Sequence, residues 1–166
     1  MVFVEMDRCA TDAVQSVTGC SLGRRTLKFM DFGKMASTFV NLKTGKSVRI
    51  VAREDAREKA KEYFPGSANI YAAQAEAYNI MPDDELFHLM DVKVRVRRED
   101  MPGRPLRRIR CDSCGEYVHD MREVTMKNKM LCRACAEGSY YSRQSFLLPI
   151  AVQNSHNGFH VRSKIW

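Results

Sequence analysis

Two cysteine pairs, Cys111-Asp112-Ser113-Cys114 and Cys132-Arg133-Ala134-Cys135, with seventeen residues between them, constrain this chain more than any other feature. Thiolates in a CxxC…CxxC pattern suit a closed tetrahedral metal site, with sulfur about 2.3 Å from the ion and no position left for water. Gly115 extends the first pair to CxxCG, a turn in which glycine lets the backbone fold back and aim amide groups at the sulfurs. The interval between the pairs suits a hairpin over residues 123–131 that turns at Asn128, followed by a helix carrying the second pair. One structural Zn²⁺ per chain, held by Cys111, Cys114, Cys132 and Cys135, is the expectation. Four unconnected free cysteines and an iron–sulfur cluster are the alternatives. A module of about thirty residues has almost no apolar core, so the metal supplies most of its folding free energy, on the order of 10–16 kcal/mol for such sites.

The chain has 166 residues, 45% of them apolar, enough for one main core beside that small module. No apolar run is long enough to span a membrane, and Glu5 and Asp7 interrupt the opening Met1-Val2-Phe3-Val4, so neither a membrane segment nor a secretory signal is expected. A cytoplasmic location follows, in which paired cysteines favour metal over disulfides. The net charge of +7 is uneven: 15 cations meet 13 carboxylates over residues 1–97, and 12 meet 7 over residues 98–166. Four thiolates around one Zn²⁺ would lower the second excess from +5 to +3, so the basic character is mild.

Along the first hundred residues, Met1 to Glu5 reads as a short strand and Ala10 to Thr18 as a helix that Gly19 stops. Thr26 to Phe29, Lys34 to Leu42 and Ser47 to Ala52 read as strands of an antiparallel meander, the last two joined by a turn over residues 41–46 with Gly45 at positive φ. Between Arg53 and Phe64, Ala56, Ala60, Tyr63 and Phe64 share one helical face, while Asp55 and Lys59 pair across one turn. Further helices are expected from Ala68 to Tyr78 and from Pro82 onward, the latter with Asp83, Asp84 and Glu85 in its first turn and His88 at its end. Asp91 to Arg97 then reads as a strand with Val92, Val94 and Val96 inward. Pro102-Gly103-Arg104-Pro105 breaks regular structure and marks a boundary.

A second group of candidate site residues surrounds the first helix. Cys9 stands at its start beside Arg8, where amide dipoles and a cation both lower a thiol pKa; a small core residue is the alternative. Asp12 and Gln15 follow on the same side of the helix and could line a polar pocket. Cys20 lies past the helix end, roughly 16 Å from Cys9 at 1.5 Å per residue, so one ion cannot bind both. Of the four histidines, His88, His119, His156 and His160, none sits in a pattern that points to catalysis.

The run Asp7-Arg8-Cys9-Ala10-Thr11-Asp12-Ala13-Val14-Gln15, then Thr18-Gly19-Cys20-Ser21-Leu22-Gly23 and Asp31-Phe32-Gly33-Lys34, resembles the FmdE family of formylmethanofuran dehydrogenase proteins. The resemblance covers roughly residues 1–141 and implies an α+β fold, an antiparallel sheet packed with helices, followed by a small treble-clef zinc finger that the two cysteine pairs and Tyr140-Tyr141 match. The implied organisation is a core over 1–101, a linker over 102–110, a finger over 111–141 and an irregular tail over 142–166. The family usually carries an earlier segment with a motif like His-Gly-His-x-Cys-Pro-Gly, whose His and Cys approach the cysteine that Cys9 matches. Met1 lies after that point and no histidine precedes His88, so the resemblance implies a core that is N-terminally incomplete relative to the family and a Cys9 without those partners.

What the resemblance implies for function is an accessory protein associated with one-carbon metabolism and methanogenesis, whose finger makes protein contacts. Its expected partners are a second copy in an intertwined homodimer and other subunits of a dehydrogenase complex, while the redox chemistry belongs to molybdenum- or tungsten-containing subunits. A second class is nucleic-acid binding, motivated by Arg104, Arg107, Arg108, Arg110, Lys127, Lys129 and Arg133 around the finger. A third is a metal-dependent enzyme or metal sensor centred on Cys9, Asp12, Gln15 and Cys20, which requires a second metal in the core with exchangeable water.

Overall fold

Val2 and Val4 are 2% and 1% exposed, and the short strand that carries them is flanked by another strand on each side. The structure, a computed structural model, describes residues 1–142. The tail expected beyond residue 142, with His156 and His160, therefore lies outside the described residues. Strand β1 (Val2–Val4) leads into helix α1 (Cys9–Thr18), then β2 (Leu27–Phe29), β3 (Ala36–Val40) and β4 (Ser47–Ala52). Three helices follow, α2 (Ala56–Tyr63), α3 (Ile70–Ile80) and the single turn α4 (Asp83–Leu86), before β5 (Phe87–Val92). The cysteine-rich module holds β6 (Arg108–Arg110), β7 (Tyr117–His119), β8 (Val124–Met126), β9 (Lys129–Leu131) and α5 (Arg133–Glu137).

The five-stranded sheet has the order β2-β1-β3-β4-β5. Its β1/β3, β3/β4 and β4/β5 pairings are antiparallel, as expected for an α+β core, whereas β1 and β2 run parallel. The expected meander is thus corrected on one point: β1 lies between β2 and β3, and α1 makes the crossover that a parallel pair requires. Paired positions share a face, so Val2, Leu27 and Phe39 point the same way, and Val14 of α1 packs against that cluster. Gly19 takes φ 67° and its N–H donates to the Gln15 carbonyl at 2.8 Å, closing α1 where the sequence predicts.

A second apolar cluster joins Ala56, Ala60, Ala77 and Met81, with Tyr63, Phe64 and Leu86 packed against it. The face predicted for α2 is the one it buries. Helix α3 starts two residues later than the sequence suggests, because the Asn69 side chain caps it by accepting from the Ala72 N–H at 3.1 Å. The helix after Pro82 ends within one turn, since Phe87 already takes extended backbone at φ −137° and ψ 148°. The strand expected over 91–97 is instead β5, with His88 inside it opposite Val51 rather than at a helix end. Pairing with the full length of β4 outweighs the Val92, Val94 and Val96 alternation, which runs on into an irregular connection.

Candidate metal centre

The four finger cysteines reach one point from two local structures. Cys111 and Cys114 sit on the knuckle between β6 and β7, where Gly115 holds φ 79° and donates its N–H to the Cys111 carbonyl at 3.0 Å. Cys132 is the residue before α5, and Cys135 lies within that helix. The β8–β9 hairpin, which turns through Lys127 and Asn128 at φ 48° and 63°, returns the chain so that Cys132 arrives beside Cys111. The ligand atoms of the four cysteines all lie within 4.8 Å of one another and could hold a metal ion.

The electrostatics suit a cation. The Cys132 N–H donates to Cys111 Sγ at 3.2 Å, and Cys114 Sγ lies 3.8 Å from Cys132 Sγ. Amides of Cys114 and Cys132 aimed at the Cys111 sulfur bring its pKa down to about 6. Cys114 receives the Glu116 amide, yet burial and the sulfurs of Cys111, Cys135 and Cys132 push it up to about 12. Crowded sulfurs of this kind cannot all ionise unless a positive ion sits among them. An all-sulfur tetrad with knuckle amides fits a soft or borderline cation and fills a tetrahedral shell with protein ligands.

Asp112 carries a part that its sequence context alone did not assign. Its N–H donates to the Met130 carbonyl at 2.9 Å and its Oδ2 accepts from the Met130 N–H at 2.7 Å, fastening the knuckle to β9. An Asp directly after the first cysteine of a pair is the available signal.

The basic residues around the finger are divided. Arg107 is ion-paired with Glu123, the Arg108 guanidinium stacks 4.1 Å from the centre of the Tyr117 ring, and Arg110 Nε donates to the Gly115 carbonyl at 3.0 Å. Among the described residues Arg104, Lys127, Lys129 and Arg133 make no such pairing, and all four are exposed. The four candidates near α1 do not form one cluster. Cys9 is exposed, Gln15 Nε2 approaches Asp12 Oδ1 at 3.5 Å, and Cys20 packs against the cluster of Val2, Val4 and Leu27. Among the described residues, the finger tetrad is the one group of three or more histidine, cysteine or acidic side chains gathered closely enough for a metal.

A model of the family described as FmdE, molybdenum formylmethanofuran dehydrogenase operon, matches residues 1–88. A protein of Archaeoglobus fulgidus described as a probable S-adenosyl-L-methionine-binding protein is 28% identical over 160 residues. That match takes in 86% of this chain and 42% of the relative, so the chain spans less than half of the relative's length. The crystal structure of a tungsten formylmethanofuran dehydrogenase FmdE-like protein from Syntrophus aciditrophicus matches with a TM-score of 0.56 and 21% identity, covering 85% of this chain and 73% of that one. At that identity the likeness is one of fold.

Proposed function

This chain belongs to the FmdE family, and we propose that it is a cytoplasmic accessory member of that family, built on one structural Zn²⁺ and acting through protein contacts. The observation that carries the reading is the gathering of Cys111, Cys114, Cys132 and Cys135 within 4.8 Å at a knuckle whose amides face the sulfurs. When bound, zinc would supply cross-linking of the knuckle to α5 and neutralisation of thiolate charge, with all four protein ligands in place and none left to an activated water. The role is therefore to hold a surface in shape.

That surface is rich in apolar groups available to partners. Tyr117, Met121 and Met126 are exposed on the finger, and Tyr140 and Tyr141 pack edge to face at its end. On the core, β5 is an edge strand with Phe87, Leu89 and Met90 exposed, and α3 exposes Ile70, Tyr71 and Ile80. These faces support a homodimer and contact with other subunits of a dehydrogenase complex. The Archaeoglobus relative adds S-adenosyl-L-methionine as a ligand to titrate directly.

Metal content tests the reading. About one zinc per chain, unchanged in a Cys9→Ser, Cys20→Ser variant, with a solution mass near twice 19.1 kDa, is expected. A second metal lost with Cys9 or Cys20 would replace it with a metal-dependent enzyme or sensor.

A further inference from the structure

Beside the sheet edge, β1, β2, the finger and the segment before it together line an open cleft of about 460 Å³, within the range of small-molecule sites. Phe3 on β1, Phe29 on β2 and Met30 give it an apolar lining. Arg25 and Lys28 enter from the turn before β2 and from β2 itself, Arg97 and Asp100 from the turn ahead of the finger, and Asp120 and Arg122 from the loop after β7.

The charges do not cancel. Four cations border the cleft against Asp100 and Asp120, with Glu99 behind Arg97 at 3.4 Å, which leaves one positive charge in excess, and the two lining carboxylates are engaged at every oxygen. Asp100 Oδ1 accepts from Arg122 at 2.6 Å and its Oδ2 from Arg97 at 2.7 Å. Asp120 Oδ1 accepts from the Leu106 N–H at 3.3 Å, and its Oδ2 pairs with Arg25. Lys28 makes no ion pair among the described residues, and burial lowers its pKa from the ordinary lysine value; of the charges around it, Asp100 and Asp120 oppose that shift while Arg25 and Arg122 add to it. A partly desolvated ammonium with no carboxylate in direct contact is a ready partner for an incoming anion.

The rim is also fixed in place. Arg25 holds left-handed backbone at φ 61°, a conformation costly for a side chain of its size. Its guanidinium ties Asp120 and the Glu99 carbonyl together, so one residue of the core clasps both the finger and the turn that precedes it. A preorganised wall of this kind lowers the ordering cost of binding.

We propose that this cleft binds a small anion carried on a planar aromatic ring, the chemistry of a nucleoside monophosphate, with Lys28 as the charge partner and Phe3 and Phe29 as the wall the ring lies against. The site stands apart from the cysteine tetrad, and its test is independent of which metal the tetrad holds.

Calorimetric titration of the full chain with adenosine monophosphate at low salt is the experiment. One site per chain is expected, with affinity at least about tenfold weaker for adenosine, which lacks the anion, and for inorganic phosphate, which lacks the ring. Lys28→Met should weaken binding at least about tenfold, and Lys28→Arg should keep it within about threefold. S-adenosyl-L-methionine, net positive at neutral pH, should bind more weakly than adenosine monophosphate. Absence of saturable binding, equal affinity for adenosine or phosphate, tighter binding of S-adenosyl-L-methionine, or a folded Lys28→Met variant with unchanged affinity would each overturn the proposal.

Discussion

Arg49 on β4 grips Glu5 with two parallel hydrogen bonds, Nε to Oε1 and Nη2 to Oε2, each 2.7 Å long. Glu5 follows β1, and its side chain is 7% exposed against 21% for Arg49. The pair crosses β3, the strand between β1 and β4, and so adds a side-chain tie between β4 and the end of β1 to the backbone ladder. An exposed ion pair contributes little on most surfaces, but a bidentate pair around a buried carboxylate is a different case.

Glu5→Gln should cost about 2 kcal/mol of stability at neutral pH, the range for a hydrogen bond to a charged group. The bonds from Arg49 hold the Glu5 pKa below its ordinary value of 4.5. Its contribution is therefore fully present above pH 4.5 and is lost as the pH falls through the lower folded-state pKa. Urea midpoints at about pH 7 and about pH 3 should differ less in the variant than in the parent. Equal differences would mean that Glu5 does not carry this part of the acid sensitivity.

Metal removal should act on the finger and spare the sheet. The finger strands have three residues each, and Cys111 and Leu131 are the buried apolar side chains of that module. Chelation should expose amides of residues 111–137 to hydrogen exchange while those of β1, β3 and β4 stay protected. Concerted loss of protection in both would show that the two parts fold as one unit.

Arg107 and Glu123 make a sharper case. The Glu123 side chain is 4% exposed and its Oε2 has no hydrogen-bond partner, so the paired Arg107 is what compensates its charge. Arg107→Ala should destabilise by about 2 kcal/mol, as expected when a buried carboxylate loses its charged hydrogen-bond partner. Arg104→Ala and Lys129→Ala, at exposed positions, should change stability by less than about 0.5 kcal/mol. Thermal melts of the three variants under one set of metal conditions make the comparison.

What the sequence could tell followed the range of each signal. The knuckle, the Asn128 turn, the Gly19 stop and the α2 face rest on residues within a few positions of one another, and local chemistry was enough to read them. Two features escaped because they depend on partners far along the chain. Phe87-His88-Leu89-Met90 looks like the rest of a helix begun at Pro82 until β4 offers it hydrogen bonds across Ala52 to Arg49. The cleft draws Lys28, Asp100 and Arg122 from three separate segments, and no spacing in the sequence joins them. Cys20 shows the reverse: a residue type rich in chemistry, read as a site candidate, meets the apolar cluster of Val2, Val4 and Leu27.

Gly115 allows a test of why the knuckle has its shape. Its φ of 79° lies where side chains other than glycine and asparagine are strained, at a cost of about 1–2 kcal/mol. A Cβ there would also meet Arg110 Nη2 at 3.1 Å and Nε at 3.4 Å. Because those atoms end a flexible side chain, the contact can relax, although at the expense of the bond from Arg110 Nε to the Gly115 carbonyl. The backbone cost cannot relax without moving the Cys111 and Cys114 sulfurs relative to each other. Gly115→Ala should therefore weaken metal binding about tenfold, and Gly115→Asn should recover part of it, since asparagine tolerates this conformation. Gly66, also at φ 79° but with open space around it, is the control: Gly66→Ala should carry a similar backbone cost in the core and leave metal affinity unchanged. Competition against a chelator of known affinity measures all three. An unchanged affinity in Gly115→Ala would mean that the knuckle geometry is not what sets the grip on the metal.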